Sequence, residues 1–366
     1  MKILYWCPFI DKVATIKAVL NSAFALNKYS KDKIKTEIIN AMGEWNDCNS
    51  DEKFEKIDFF KNSKIKYLPH KGFLKSRFTY IVIFFLTLFK LNNLLKKKKP
   101  NYLIVHLITS IPLFLFILFK YETKLILRIS GYPKLGFFRK IFWKLANKRI
   151  FYVTAPTIST LKLLKNSNIF DKDKIIYLPD PVIKIQEIRN KIKEKHIFKR
   201  EISEKNSLLA IGRLTKQKNF NFLVEAFHEL QKKYQNLNLF IAGDGEQMEK
   251  LKKEIKNLNI ENKIFLIGHQ KNIFYYLKNS KAFILSSLWE DPGFVLVEAG
   301  YMNRIVLSSD CPNGPKEILN NGQNGFIFKS NSIESFIQNY EKMIHTKREN
   351  LLKMQINLKK KCKEFT

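Results

Sequence analysis

Short apolar runs alternate with longer segments of helical periodicity through most of the chain. The run KILYW at residues 2–6 is followed by a helical segment over 14–26 and by a second strand-like run over 36–40. Strands separated by helical segments are typical of β-α-β units that build a parallel sheet. The amino-terminal half is therefore predicted to be a doubly wound α/β domain.

The same alternation returns, more regularly, after residue 206. Helical segments separate the strand-like runs SLLAIG, LNLFIAG, KIFLIG, AFILS and RIVLSS. A chain of 366 residues is long for one hydrophobic core. We therefore predict an α/β protein with two Rossmann-like domains, at residues 1–183 and 206–340. A charged linker over 184–205 joins them, and a basic helix over 341–366 follows.

Residues 73–99 form a strongly apolar stretch, FLKSRFTYIVIFFLTLFKLNNLLKKKK. Its uncharged part, Phe78 to Phe89, has 12 residues, whereas a helix that crosses a bilayer needs about 20. Positive charges flank it at Lys75, Arg77, Lys90 and the run Lys96 to Lys99. We expect a helix that lies on an anionic membrane surface. The alternative is a buried helix that ends in a solvated lysine tail.

A second apolar stretch, residues 102–119, has 18 residues without a formal charge. Polar residues and Pro112 interrupt it. A strand YLIVHL, a loop, and a helix with Pro112 in its first turn explain this pattern better than a membrane span does.

The composition adds a strong positive charge. Lys and Arg total 65 against 33 Asp and Glu, a net charge of +32. This excess predicts an anionic partner, such as nucleic acid, an acidic membrane surface or a phosphorylated substrate, although a lysine-rich composition bias accounts for part of it. The four dispersed cysteines and the absence of a visible signal peptide indicate a reducing, cytoplasmic location.

The stretch 281–325 carries the clearest chemistry. The strand KAFIL leads into a loop with Glu290, and a helix is predicted from Gly293 to Met302, with Glu298 inside it. A helix that starts at glycine offers free N–H groups to an anion, and carboxylates accept hydrogen bonds from hydroxyls. These groups suit a ligand that combines phosphate with sugar.

Other candidate ligands stand at predicted strand ends. Gly212 and Arg213 follow one strand, and Lys218 lies five residues after the arginine. A guanidinium that grips two oxygens and an ammonium point charge suit a diphosphate. Further candidates for the ligand cleft or the acceptor site are Gly268, Lys12, His106 and Arg128. For Arg128 a structural ion pair is the alternative, and for Lys12 and His106 it is an ordinary solvated or structural role.

The Glu290–Glu298 spacing, together with Gly212-Arg213-Leu214 and Lys218, resembles the donor site of retaining glycosyltransferases of family 4. Pro292 stands where that family usually has Phe. The resemblance implies the GT-B fold, two Rossmann-like domains facing a cleft, with the last helix crossing back to the first domain. It implies that Glu290 orients the donor sugar and Glu298 the ribose. The backbone at Phe294 and Val295 would reach the phosphates, and Gly268 would lie near the base.

The implied activity is transfer of a hexose or N-acetylhexosamine from a nucleotide sugar to a lipid-linked, lipopolysaccharide or polysaccharide acceptor. We favour a UDP-sugar donor and front-face attack with retention. Asp171-Lys172-Asp173 spells a metal-binding Asp-x-Asp but lies between a helix and a strand, so we interpret it as a turn and expect no metal or other cofactor. The alternatives are an epimerase or phosphorylase on the same fold, or a nucleic-acid-binding protein, for which no known module is visible.

Overall fold

The structure is a computed structural model, and it describes residues 1–10, 14–31, 33–46, 54–62, 73–129, 131, 133, 135–194 and 202–366. The chain divides into two compact units, Met1–Pro181 and Val182–Thr366. Each unit is built around one parallel sheet with helices on its faces. The unit boundary lies just before the predicted linker, and a helix, Ile185–Lys191, occupies part of that stretch.

The described part of the first unit contains a seven-stranded sheet in the order β3-β2-β1-β4-β5-β6-β7, with every pairing parallel. The strands are β1 Lys2–Trp6, β2 Lys35–Asn40, β3 Lys56–Asp58, β4 Tyr102–Val105, β5 Lys124–Arg128, β6 Ile150–Ala155 and β7 Ile175–Tyr177. The helices are α1 Thr15–Tyr29, α2 Phe73–Lys98, α3 Ser110–Leu118, α4 Phe137–Ala146 and α5 Ile158–Asn166.

Helices cover both faces of this sheet, as in a doubly wound fold. Val19 and Ala23 of α1 pack in one hydrophobic cluster with Ile3 of β1. Helices α2, α3 and α4 contribute to a different cluster with the strand residues that point the other way. Right-handed crossovers place α2, α3 and α4 on one face and α1 on the opposite face, because the chain from β1 to β2 moves in the other direction across the sheet.

Helix α2 confirms the helix predicted over residues 73–99. It spans Phe73–Lys98, 26 residues, and Leu91 and Leu95 continue its apolar side beyond Lys90. Within the described residues, Phe78–Lys98 is the one helix long and apolar enough to cross a membrane, and 28% of an 18-residue window in it is buried. Ile83, Leu91 and Leu95 are fully buried in the core of the unit, so this side of the helix packs on the sheet.

The apolar stretch 102–119 is a strand, a loop and a helix, as predicted. Strand β4 ends at Val105, and α3 begins at Ser110 with Pro112 as its third residue. Ile111, Leu113 and Leu115 are buried in the core of the first unit. The stretch therefore belongs to a folded α/β unit.

The second unit contains a six-stranded parallel sheet in the order β10-β9-β8-β11-β12-β13. Its strands are β8 Ser207–Ile211, β9 Asn238–Ala242, β10 Ile264–Leu266, β11 Ala282–Leu285, β12 Ile305–Ser309 and β13 Phe326–Phe328. Its helices are α6 Ile185–Lys191, α7 Phe220–Lys233, α8 Met248–Asn257, α9 Ile273–Asn279, α10 Phe294–Tyr301, α11 Pro315–Ile318, α12 Ile333–His345 and α13 Arg348–Cys362.

The last helix, α13, packs against the helix that carries Glu298. Side chains of Leu358 and Cys362 lie directly over Gly300 of α10, where a Cβ atom would come within 2.6 Å of the Cys362 sulfur. The carbonyl of Phe365 accepts hydrogen bonds from the N–H groups of Val182 and Ile183, at 2.8 and 2.9 Å. The end of the chain is thus tied to the beginning of the second unit.

The five predicted strands of the second unit are all present. Three strands were missed: β3, β6 and β13. Two of these, β3 and β13, have only three residues, which is too short for a periodicity to be recognised. The fold class, two parallel α/β sheets with flanking helices, is confirmed.

Candidate functional site

The strand order of the second sheet reverses between β8 and β11. From β8 the chain adds β9 and β10 on one side, and it then returns to place β11 on the other side of β8. In open parallel sheets the loops at the carboxyl ends of two such strands diverge and leave a crevice for a ligand. The loop after β8 carries Arg213 and Lys218, and the loop after β11 carries Glu290. The topology therefore brings the predicted residues to one place.

Lys218 and Glu290 form an ion pair at this crevice. The Lys218 Nζ donates to Glu290 Oε1 at 2.5 Å, and the two side chains are 15% and 6% exposed. The hydroxyl of Ser287, which is fully buried, donates to the same carboxylate oxygen at 2.6 Å. A nearly buried carboxylate with two donors is held in one orientation.

Three further hydrogen bonds tie the two loops together. The Ser286 hydroxyl donates to the Lys218 carbonyl at 2.8 Å. The Leu288 N–H donates to the Gln217 carbonyl at 2.8 Å, and the Gln217 side-chain amide donates to the Trp289 carbonyl at 2.9 Å. Ser287 and Gln217 were missed in the sequence, where the only signal was a pair of serines directly after an apolar strand.

The end of β12 and the loop that follows it also hold the Glu290 loop in place. The Ser309 hydroxyl donates to the Ser287 carbonyl at 2.6 Å, and the Glu290 N–H donates to the Pro312 carbonyl at 3.3 Å. Gly314 lies so close that a Cβ atom there would come 2.1 Å from the Pro292 carbonyl oxygen, and its φ is +98°. Only glycine permits this contact.

Helix α10 begins beside Glu290, as predicted. Gly293 is its N-cap with φ +93°, and Phe294 is its first residue. The N–H groups of Leu296 and Val297 donate to the Gly293 carbonyl, whereas those of Phe294 and Val295 have no acceptor in the helix. Glu298 is buried within the same helix. The peptide bond between Asp291 and Pro292 is cis.

Arg213 is available to a ligand. Its side chain is exposed, and it forms no hydrogen bond or ion pair with any residue that the structure describes. The neighbouring Gly212 backbone packs tightly against the loop after β9, because a Cβ atom at Gly243 would lie 1.8 Å from the Gly212 carbonyl oxygen. The Lys218 side chain passes over Gly212, 3.1 Å from where a Cβ atom would stand.

Gly268 lies at the same edge of the sheet, after β10. Its φ is +66°, and its carbonyl accepts a hydrogen bond from the Gly243 N–H at 2.8 Å. In the described part of the chain, no atom beyond the two adjacent residues lies within 4 Å of the position that a Cβ would occupy. The second unit therefore brings together Gly212, Arg213, Lys218, Gly268, Glu290, Gly293, Phe294, Val295 and Glu298 on the carboxyl edge of one sheet.

In the first unit, Arg128 is engaged in structural contacts. Its guanidinium pairs with Asp180 at 2.6 Å and donates to the carbonyls of Leu178 and Pro179 at 3.1 and 2.9 Å. Both charged side chains are buried. This is the ion pair that was the alternative to a ligand-binding role, and it anchors the residues that follow β7.

His106 follows β4 and is buried near Arg128. Burial and the positive charge of Arg128 hold the pKa of His106 well below its usual value, so its imidazole is neutral. Its ring lies 6.2 Å from that of Tyr5. The remaining first-unit candidate, Lys12, lies outside the described residues.

Asp171 stands in a polar turn. Its carboxylate pairs with Lys174 at 2.8 Å and accepts from Asn147 at 2.9 Å, and a 3-10 turn spans Lys172–Lys174. The described residues contain no group of three His, Cys, Asp or Glu side chains that could hold a metal ion. The interpretation of Asp171-Lys172-Asp173 as a turn is confirmed.

Residues 192–364 match the family model described as glycosyl transferases group 1. An uncharacterized glycosyltransferase of Methanocaldococcus jannaschii is 34% identical over 247 residues, which are 63% of this chain and 61% of that protein. A Campylobacter jejuni enzyme is 23% identical over 348 residues, 91% of this chain and 85% of its own length. Its name is N-acetylgalactosamine-N,N'-diacetylbacillosaminyl-diphospho-undecaprenol 4-alpha-N-acetylgalactosaminyltransferase.

Among solved structures, Anabaena HepE in complex with UDP superposes with a TM-score of 0.68 at 12% identity, covering 99% of this chain and 94% of HepE. The chain spans 61%, 40% and 39% of the first three curated relatives that it matches. Those matches therefore identify a shared part rather than the whole of each relative. With its two parallel α/β units the chain has the GT-B fold, and residues 192–364 are similar to the glycosyl transferases group 1.

Proposed function

We propose that the protein is a retaining glycosyltransferase that moves a hexose or N-acetylhexosamine from a nucleotide diphosphate sugar, preferably a UDP-sugar, to a lipid-linked, lipopolysaccharide or polysaccharide acceptor. The observation that carries this proposal is the Lys218–Glu290 pair. It lies at the reversal of the strand order, next to Arg213, whose side chain has no partner among the described residues, and next to the first N–H groups of α10.

The donor diphosphate would take the positive groups. Arg213 supplies a planar guanidinium that pairs with none of the described residues. Lys218 has donors left after it binds Glu290, and the first N–H groups of α10 have no acceptor within the helix. These groups lie on two neighbouring loops that several hydrogen bonds hold together. A site of this kind binds the diphosphate without first having to order its own parts.

The carboxylates would take hydroxyl groups. Glu290 has one oxygen occupied by Lys218 and Ser287, and its other oxygen accepts from a donor-sugar hydroxyl. Glu298 would accept from the ribose. This division orients the sugar so that its anomeric carbon lies beside the diphosphate.

In the transfer step, the bond between the anomeric carbon and the diphosphate oxygen breaks, and the acceptor oxygen forms a bond to the same face of that carbon. The departing oxygen takes the proton of the acceptor hydroxyl. Negative charge develops on the diphosphate, where Arg213 and Lys218 stabilise it. A single preorganised donor of this kind contributes on the order of 3 kcal/mol to lowering a barrier.

The acceptor class is supported by the Campylobacter relative, whose name specifies a saccharide on diphospho-undecaprenol and which aligns with 91% of this chain. The preference for UDP is supported by the structural neighbour that was solved with UDP. Catalysis without a metal ion is part of the proposal, since the cations Arg213 and Lys218 can neutralise the diphosphate.

The test is a transfer assay with a panel of UDP- and GDP-sugars, each with and without EDTA, and with short lipid-linked saccharides as acceptors. We expect one UDP-sugar to give a product of the mass of acceptor plus one sugar, in the presence of EDTA, with an α-anomer detected by NMR. A product of inverted configuration would contradict the retaining mechanism. Failure of every donor to bind or transfer would contradict the proposed function.

A further inference from the structure

Two helices of the first unit expose rows of large apolar side chains to solvent. On α2 the row consists of Phe78, Ile81, Phe85 and Phe89, which are 57%, 55%, 65% and 71% exposed. Their spacing of three or four residues places them on one side of the helix. The opposite side, with Ile83, Leu91 and Leu95, is buried in the core.

Helix α4 has a second row. Phe137, Phe138, Ile141 and Leu145 are 73%, 86%, 45% and 60% exposed, while Trp143 and Ala146 face the core. Only one side of α4 therefore packs in the core of the unit. Eight exposed apolar side chains on two helices are far more than the scattered ones that a soluble surface normally carries.

The two rows belong to one layer. Helix α3 contacts both α2 and α4, and the rings of Phe84 and Phe114 meet at 5.5 Å between α2 and α3. The right-handed crossovers put all three helices on the same face of the sheet. We call the outward side of α2 and α4, with its two rows, the apolar face.

The charged side chains on the three helices of this layer are all positive. Helices α2, α3 and α4 contain no Asp or Glu. Exposed cations stand beside or beyond the rows, at Lys90, Lys96, Lys97, Arg139, Lys140 and Lys144. A partner must therefore offer both apolar groups and negative charge.

We propose that the apolar face binds the surface of an anionic lipid bilayer, with the phenylalanines at the level of the acyl chains and the lysines at the phosphates. A lipid surface supplies both properties at once, and a helix with one apolar side lies in its interface. Because the other side of α2 is buried in the protein core, α2 lies on the membrane and does not cross it. The negatively charged inner face of the cytoplasmic membrane fits this surface.

This inference does not depend on the donor or on the transfer reaction. It concerns residues of the first unit alone, so a failure of the transfer assay leaves it untouched. It does give a reason for a lipid-linked acceptor to be used, since the enzyme would already be held at the surface in which that acceptor is anchored.

The test is sedimentation of the full-length protein with vesicles of phosphatidylcholine alone and with 30% phosphatidylglycerol. We expect binding to the anionic vesicles that weakens as salt rises. Phe137→Ser with Phe138→Ser should lower the partition coefficient at least tenfold. Lys140→Gln with Lys144→Gln should lower it on the order of 25-fold, since each cation near the surface contributes about 1 kcal/mol.

The matched control is Tyr29→Ser, which removes an equally exposed aromatic residue, 76% exposed, from α1 on the other side of the sheet. It should bind like the wild type. Equal binding to both kinds of vesicle, or no loss in either double variant, would overturn the proposal. The proposal would also be overturned if the wild type did not bind vesicles but formed dimers, and if the phenylalanine variant were monomeric. The lysine variant changes only exposed side chains, so it keeps the test decisive if the phenylalanine variant does not fold.

Discussion

Lys218 donates a hydrogen bond to Glu290 Oε1 at 2.5 Å, although 72 residues separate them in the sequence. Ser287 donates to the same oxygen. Among the described residues, none forms a hydrogen bond with Oε2. Both supports act on one oxygen, so the other is left for the ligand.

Ser287→Ala should therefore slow transfer without weakening nucleotide binding. The carboxylate loses one of its two supports and turns more freely, so we expect kcat to fall about tenfold, which corresponds to roughly 1.4 kcal/mol, while the Kd for UDP changes less than twofold. Ser308→Ala is the control, since it removes a hydroxyl from another fully buried serine that binds a backbone carbonyl and not Glu290. Equal transfer rates in the Ser287→Ala and Ser308→Ala variants would show that the Ser287 hydroxyl does not orient Glu290.

Arg213→Ala should weaken the binding of UDP and leave the protein equally stable. The side chain is exposed and has no partner among the described residues, so its removal breaks no contact of the fold. We expect the Kd for UDP to rise at least tenfold, since charge-assisted hydrogen bonds contribute about 1.5–3 kcal/mol. Lys216→Ala removes an exposed cation from the same loop and should change the Kd less than twofold. Equal effects of both variants on binding would indicate a diffuse charge effect.

Gly314→Ala should disturb the Glu290 loop. The new methyl group would overlap the Pro292 carbonyl, so the loop has to move. Gly322→Ala is the control, because Gly322 has a similar φ of +95° but no atom within 4 Å of a Cβ. The control should lose about 1–2 kcal/mol from backbone strain alone. A Tm for Gly314→Ala no lower than that of the control would contradict the contact.

Glu44 makes the first unit sensitive to pH. Its carboxylate accepts the N–H groups of Ala41 and Met42, and burial raises its pKa to about 7. The folded state therefore holds a proton between pH 4.5 and 7 that the unfolded state has released, so stability falls as the pH rises through this range. The loss is at most about 3 kcal/mol, at 1.36 kcal/mol per pKa unit.

Glu44→Gln should remove this dependence. The variant's Tm, measured relative to the wild type, should rise by several degrees from pH 5 to pH 8. Glu122→Gln changes an exposed carboxylate, and its Tm difference from the wild type should stay constant over the same range. A constant difference for Glu44→Gln as well would show that Glu44 is ionised at pH 5 in the folded protein.

Local features were the ones that could be predicted from the sequence. The strand KAFIL, the start of α10 at Gly293 and the role of Pro112 at the start of α3 each depend on a few neighbouring residues. Ser287 and Gln217 could not be found in this way, because their hydrogen bonds exist only once β8 and β11 are neighbours. The adjacency of β8 and β11 is set by the strand order of the whole sheet.

The apolar face shows the same limit. The segment FFRKIFWKLA has apolar residues around most of the helix, so its sequence does not determine that Trp143 is buried and Phe138 exposed. The sequence of α2 likewise does not determine which residues face the core, since Phe89 is exposed and Leu91 is buried. Burial is decided by the sheet on which a helix packs.

The central claim is that Glu290 holds the donor sugar while Arg213 and Lys218 hold its diphosphate. The most direct measurement compares wild type and Glu290→Ala for UDP binding by calorimetry and for sugar transfer to the lipid-linked acceptor, with folding checked by Tm. We predict a folded variant that binds UDP within a few-fold of the wild type and transfers sugar at least 100-fold more slowly. Transfer by this variant within a few-fold of the wild-type rate would contradict the account.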